Sequence, residues 1–283
     1  MNIYIYTKSG HNVGLDSVRR GAVLYNQFKN YNPILCTSDY RAATFSRTLD
    51  VYRGVGIDII GNLPNLMKRG DILIFDSDEP NETMRKFMNQ YCTKLYEFGI
   101  DISRTLVSDK FFNKGNKSIR KAFFFGDDDY QNILLDKLCK DQYQLDIDLL
   151  MGHYFFLGND EKLISHFSNV IDEEEYFDTI INTQYLLASS INAVFESCAS
   201  GNSPVFYIRE DKKHENLDLI KKYNIPIIEG DSMQEILKKF NIVIKNYPKI
   251  QPFKKVDTSN ILDTVIDIME KNKLLSPSLE SNY

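Results

Sequence analysis

LLASSINAVFESCASGNSPVFYI, residues 186–208, changes its hydrophobic period twice within one short stretch. The apolar run at 186–188 reads as a buried strand that ends in two hydroxyl residues. A helix is expected to begin near Asn192, and Ser200–Gly201 breaks it before the next strand, PVFYI at 204–208. Strand, helix and strand joined by such short connections form a βα unit, which calls for a parallel sheet. Small residues around Ile191, Asn192 and Ala193 let an anion approach the free N–H groups of the helix start. Glu196, one turn on, can accept two hydrogen bonds from a ribose diol. A capped helix with a surface glutamate fits the same letters.

The same alternation extends in both directions. NIYIY at 2–6 opens the chain as a strand. A polar loop with Gly10 and Gly14 follows, then a helix from about Ser17 to Lys29 whose inward face carries Val18, Ala22, Tyr25 and Phe28. Strands are expected at 33–37, around 57–60, at 71–76, 94–98 and 105–107, with helices around 39–48 and 81–92. NKGNKS at 113–118, polar and glycine-containing, reads as a linker. Beyond it lie strands at 121–126, 148–151, 185–189, 204–208 and 225–228. Helices fall near 130–140 and 160–167, and a last one at about 258–272 precedes a frayed tail, SPSLESNY. The pattern predicts two doubly wound α/β domains, 1–118 and 119–283. A ligand is expected at the carboxyl ends of their strands and in the cleft between them.

Length agrees, since 283 residues at roughly 150 per domain make two. Apolar residues at 43% and charged residues at 26% exclude a largely disordered chain. The longest apolar stretches are strand-sized and cannot cross a bilayer. MNIYIYTKSG reads as a strand and not a signal peptide, so a cytoplasmic location is expected. The net charge of −5 lacks the basic excess of a general nucleic-acid binder. Cys36, Cys92, Cys139 and Cys198 form no CxxC pair, and His11, His153, His166 and His214 lack HExxH spacing, so neither a metal nor another cofactor is expected.

Polar residues gather at the strand-to-helix junctions. In TKSGHNVGLDSVRR, residues 7–20, Gly14 allows close backbone approach to a ligand, and Arg19 and Arg20 lie one turn into the helix as phosphate or substrate contacts. His11 and Asp16 are the acid–base candidates there. In FFFGDDDYQN, residues 123–132, a strand ends in Gly126 and three carboxylates, any of which also serves as a helix cap. Asp76-Ser77-Asp78 has the spacing of a divalent-metal motif, although Glu79-Pro80 behind it is an ordinary helix start. His153 in MGHYF ends another strand and stands near a base or a phosphate, or is structural.

Taken together these junctions resemble the two-domain GT-B group, over nearly the whole chain. The similarity is to the UDP-sugar hydrolase of pseudaminic-acid biosynthesis and, more remotely, to the glycosyltransferase that makes the peptidoglycan lipid precursor. VGLDSVRRGAVLY at 13–25 is similar to the first glycine-rich loop and helix. FGDDDYQN at 125–132 resembles the second-domain turn, with Gly126, Asp129 and Asn132 on matching letters, and Glu196 falls on the ribose-binding glutamate. The resemblance implies two Rossmann-like domains, the first for acceptor and catalysis and the second for the nucleotide sugar. It further implies a metal-independent, inverting transferase that uses a UDP-sugar and an acceptor in bacterial surface-glycan or flagellin glycosylation. One departure stands out, because where the group reads GxGH this chain has Gly14, Leu15, Asp16 and Ser17. The histidine is absent, and Ser17 alone is a poor base. Asp16 or His11 would replace it. The alternatives are a hydrolase using water, a metal-dependent transferase built on Asp76 and Asp78, or a binding protein without turnover.

Overall fold

The computed structural model describes residues 1–129, 131–138, 144–155, 160–212 and 216–275. Tyr130, Cys139, His214 and the tail from 276 lie outside them. The chain divides into two units. One comprises Met1–Ser9, Ser17–Leu106 and the chain from Val256 onward, and the other Gly10–Asp16 and Val107–Lys255.

In the first unit the strands are β1 (Ile3–Thr7), β2 (Ile34–Thr37), β3 (Gly54–Gly56), β4 (Ile72–Asp76) and β5 (Lys94–Glu97), of which β1, β2 and β4 come from buried apolar runs. Between them lie α1 (Asp16–Gln27), α2 (Tyr40–Phe45) and α3 (Glu82–Tyr91). The five-stranded sheet runs β3-β2-β1-β4-β5, and its neighbours pair in parallel. β3 falls on GVG at 54–56 and not on the β-branched run expected at 57–60, because a close approach decides its place. A Cβ on Gly56 would lie 2.8 Å from the Tyr40 Cα. The strand expected at 105–107 is absent, those residues forming a turn and an irregular segment.

The second unit contains β6 (Ile119–Phe124), α4 (Ile133–Leu138), β7 (Leu145–Leu150), α5 (Asp160–Ile164), β8 (Phe167–Ile171), α6 (Tyr176–Asn182), β9 (Thr183–Ala188), α7 (Ile191–Ala199), β10 (Val205–Tyr207), α8 (Leu217–Lys222), β11 (Ile227–Ile228) and α9 (Met233–Lys245). Its six-stranded parallel sheet runs β11-β10-β9-β6-β7-β8. Chain direction in the strand order reverses between β6 and β9, and the crevice beyond the carboxyl ends of such strands is where doubly wound sheets bind ligands. Sequence reading missed β8, an edge strand whose exposed Ser168 and Asn169 hide its period, and α6, which starts among consecutive acids.

The boundary also differs from the expected one near residue 118. Val107 and Phe111 are buried in the second unit's core. The NKGNKS segment is packed rather than free: the Asn116 N–H donates to Asn182 Oδ1 at 3.0 Å, and Lys117 Nζ donates to the Ser200 carbonyl at 3.0 Å. A Cβ on Gly115 would come within 2.5 Å of the Ile181 carbonyl oxygen. At the other end, α10 (Ser259–Leu275) belongs to the first unit, with Thr258 Oγ1 donating to Gln27 Oε1 at 3.0 Å. Among the described residues no helix is long and apolar enough to cross a membrane.

Candidate nucleotide site in the second unit

Strand β6 is buried through Phe123, Phe124 and Phe125, and the chain then needs a sharp turn to leave the sheet. Gly126 supplies it with φ +115°, a conformation that a side chain resists. A Cβ there would lie 3.1 Å from Asp128 Oδ1 and 3.4 Å from Arg209 Nη1. β7 ends against the same turn, since a Cβ on Gly152 would come within 2.2 Å of the Gly126 carbonyl oxygen. Ser189, at the end of β9, donates its hydroxyl to the Phe125 carbonyl and ties the turn to the neighbouring strand.

Ser190 caps α7, accepting a hydrogen bond from the Ala193 N–H at 3.0 Å. The same hydroxyl donates to Asp16 Oδ1 at 2.6 Å, and the Asn192 N–H donates to Asp16 Oδ2 at 3.2 Å. A carboxylate thus occupies the positive end of α7, where partial charge and free N–H groups both favour an anion. Glu196 is 2% exposed. Its Oε1 accepts from Asn192 Nδ2 at 2.7 Å and its Oε2 from the Tyr176 hydroxyl at 2.6 Å, so the expected ribose partner already orients the first turn of its own helix.

Arg209 and Lys212 follow β10, and sequence reading passed over both. Arg209 is 2% exposed. Its guanidinium lies 3.8 Å from the Phe125 ring centroid, donates to the Phe125 carbonyl at 3.1 Å, and forms a fork with Asp211 at 3.0 and 2.6 Å. Asp128 Oδ1 stands 3.4 Å from Nη1, and Asp128 Oδ2 pairs with Lys212. Lys212 Nζ also donates to the Asn12 carbonyl at 2.8 Å, and burial pushes its pKa down to about 8. The only signal in the sequence was a cation directly after an apolar strand, in FYIRE at 206–210.

The remaining expected residues serve the turns. Asp129 accepts from the Leu134 N–H at 3.2 Å at the start of α4. Asn132, at φ +57°, donates its N–H to the Asp129 carbonyl at 3.0 Å. His153 Nδ1 lies 2.9 Å from Glu173 Oε2, and its ring meets that of Tyr154 edge-on. Gly14, at φ +89°, closes a tight turn on Gly10, and a Cβ there would lie 3.4 Å from Asp128 Oδ1. His11 sits exposed in that turn.

Three of the expected residues lie in the first unit. The Ser17 hydroxyl donates to the Lys8 carbonyl. Arg19 is buried, with its guanidinium 5.1 Å from the Phe45 ring centroid. Arg20, expected on a phosphate, is buried with Nε donating to Asp76 Oδ2 at 2.7 Å, so its charge is already spent. Arg104 Nε stands 3.5 Å from the other Asp76 oxygen, and Lys8 pairs with Asp78 at 2.6 Å. A divalent ion on the Asp76-Ser77-Asp78 motif would have to displace all three cations. Among the described residues no cluster of histidine, cysteine and acidic side chains could hold a metal.

No protein-family model matches the chain, and no curated protein is similar to it in sequence. Solved structures do match. A UDP-GlcNAc 2-epimerase of Methanocaldococcus jannaschii in complex with UDP-GlcNAc and UDP is 11% identical with a TM-score of 0.55, over 96% of this chain and 100% of that one. MurG of Acinetobacter baumannii is 10% identical with a TM-score of 0.50, over 96% and 100%. A putative UDP-N-acetylglucosamine 2-epimerase from Listeria monocytogenes is 8% identical with a TM-score of 0.50, over the whole of both chains. The chain has a GT-B-type fold. At such identities the likeness carries the fold alone.

One carboxyl of this GT-B chain gives a pH signature. Burial pushes the pKa of Asp129 up to about 7, against the opposing pull of the Leu134 N–H and Arg209. The folded state therefore holds a proton that the unfolded state releases near the ordinary value of 3.8. Stability contributed by this group is present below pH 4 and is lost as pH rises toward 7. Asp129→Asn is expected to gain on the wild type by up to a few kcal/mol across that window, measured by urea unfolding from pH 4 to 8. Parallel stability curves for the two proteins would remove the assignment.

Proposed function

We propose that this chain is a glycosyltransferase that binds a UDP-linked sugar and passes the sugar to an acceptor, with inversion and without a metal. The observation that carries the reading is the convergence, at the β6/β9 reversal, of the Gly126 turn, the capped start of α7 and the cations Arg209 and Lys212. Such a set of donors suits a diphosphate, and it would neutralise the charge that develops on the leaving group. A structure of the same fold carrying UDP-GlcNAc and UDP supports the choice of nucleotide. The acceptor oxygen would attack the anomeric carbon while the bond to the diphosphate breaks, its electron pair leaving with UDP. Asp16 or His11 would take the acceptor's proton. Glu196 would accept from the ribose diol in exchange for one of its present partners.

Incubation with UDP-, CMP- and GDP-sugars, with and without acceptor and EDTA, tests this by nucleotide release. Release only with acceptor supports transfer, and release in water alone means hydrolysis. A second reading, binding without turnover, is favoured by Ser17, whose hydroxyl is given to the Lys8 carbonyl at the position where the resembled group has its histidine. Tight UDP binding with no release would establish it. Glu196→Ala is expected to weaken UDP binding by about 1–3 kcal/mol, the value of hydrogen bonds to a charged group, as measured by calorimetry. Unchanged affinity would take Glu196 out of the site.

A further inference from the structure

We propose that the Asp128 carboxylate is an internal stand-in for a phosphate group, resting on the Arg209–Lys212 pair and displaced when a diphosphate binds. The inference builds on the nucleotide reading above and adds a residue that opposes binding. Asp128 is 8% exposed at the carboxyl end of β6, beside the strand-order reversal. Two glycines make room for it. Cβ atoms on Gly126 and Gly14 would lie 3.1 and 3.4 Å from its Oδ1, and both residues hold positive φ.

The fold has little need of this carboxylate. Arg209 is already paired in a fork with Asp211 and bonded to the Phe125 carbonyl, while its contact with Asp128 is the long one at 3.4 Å. Lys212 keeps the Asn12 carbonyl. Removing Asp128 therefore leaves Arg209 in its ion pair with Asp211 and Lys212 with a hydrogen-bond acceptor, although without a carboxylate. An incoming group must offset the lost ion pairs, which a diphosphate can do with its greater charge and a neutral nucleoside cannot. Asp128 thus sets the negative charge a ligand must carry to enter.

The test is calorimetric titration of uridine, UDP and inorganic pyrophosphate into wild type, Asp128→Asn and Asp128→Ser, with thermal melting of each protein beforehand. The serine variant covers the case in which the asparagine variant fails to fold. UDP and pyrophosphate are expected to bind the variants about tenfold more tightly, with uridine unchanged. Equal or weaker UDP binding by a variant that melts like wild type overturns this inference and leaves the nucleotide reading in place. UDP that binds none of the three proteins overturns both.

Discussion

Arg209→Ala is expected to cost about 3–5 kcal/mol of folding stability and to remove measurable UDP binding. The guanidinium is almost wholly buried, and its loss leaves Asp211 facing a vacant pocket and Asp128 with Lys212 alone. It also strips the stacking partner from Phe125 and a donor from the Phe125 carbonyl, next to the turn that Gly126 makes. Arg209→Lys is not a rescue, because an ammonium cannot form the planar fork to Asp211 or lie flat on the ring. Chemical denaturation separates the two effects, since UDP affinity is read only under conditions where the variant is folded. A loss of stability below about 1 kcal/mol would mean that the pair is a surface-grade ion pair and that the site is built otherwise.

Asp76→Ala is expected to have an effect of similar size, about 3–5 kcal/mol, in the first unit. Asp76 is 4% exposed and faces Arg20 and Arg104, so its removal leaves two guanidinium groups short of a counter-charge. Replacing Arg20 and Asp76 together by Met and Leu is expected to recover only the part of the loss that comes from Arg20, because the apolar pair has no charge to desolvate while Arg104 still loses its contact with Asp76. Stability is read by urea unfolding, and any nucleotide release by the wild type is expected to be indifferent to EDTA. EDTA sensitivity together with a stable Asp76→Ala variant would instead make Asp76 a metal ligand.

The stretch at 186–208 was legible to within a residue or two because its strand, cap, helix and breaker all point to one local structure. The same held for β1 with α1 and for β4 with α3, where apolar period and capping residues agree. Where a tertiary contact chose, the reading slipped. β3 took two glycines because the chain passes tightly against α2, and NKGNKS looked like a linker because its packing against Asn182 and Ser200 leaves no mark in composition. The candidate site divides along the same line. Gly126, Asp129 and the α7 start follow from turn and cap chemistry, whereas Arg209 and Lys212 reach the Gly126 turn from a strand more than eighty residues further along the chain.

By itself the sequence determined two doubly wound α/β units and the strand ends where donors gather, since period, capping and turn chemistry are local properties. Only the tertiary structure decided what those donors hold. Asp16 sits on α7, Asp128 on Arg209 and Lys212, and Asp76 on Arg20, because burial drives charges to find partners, and for the last two parallel pairing within one sheet brings distant strand ends side by side. That is why residues read as open to a ligand are already engaged, two of them as anions at the place a diphosphate would take.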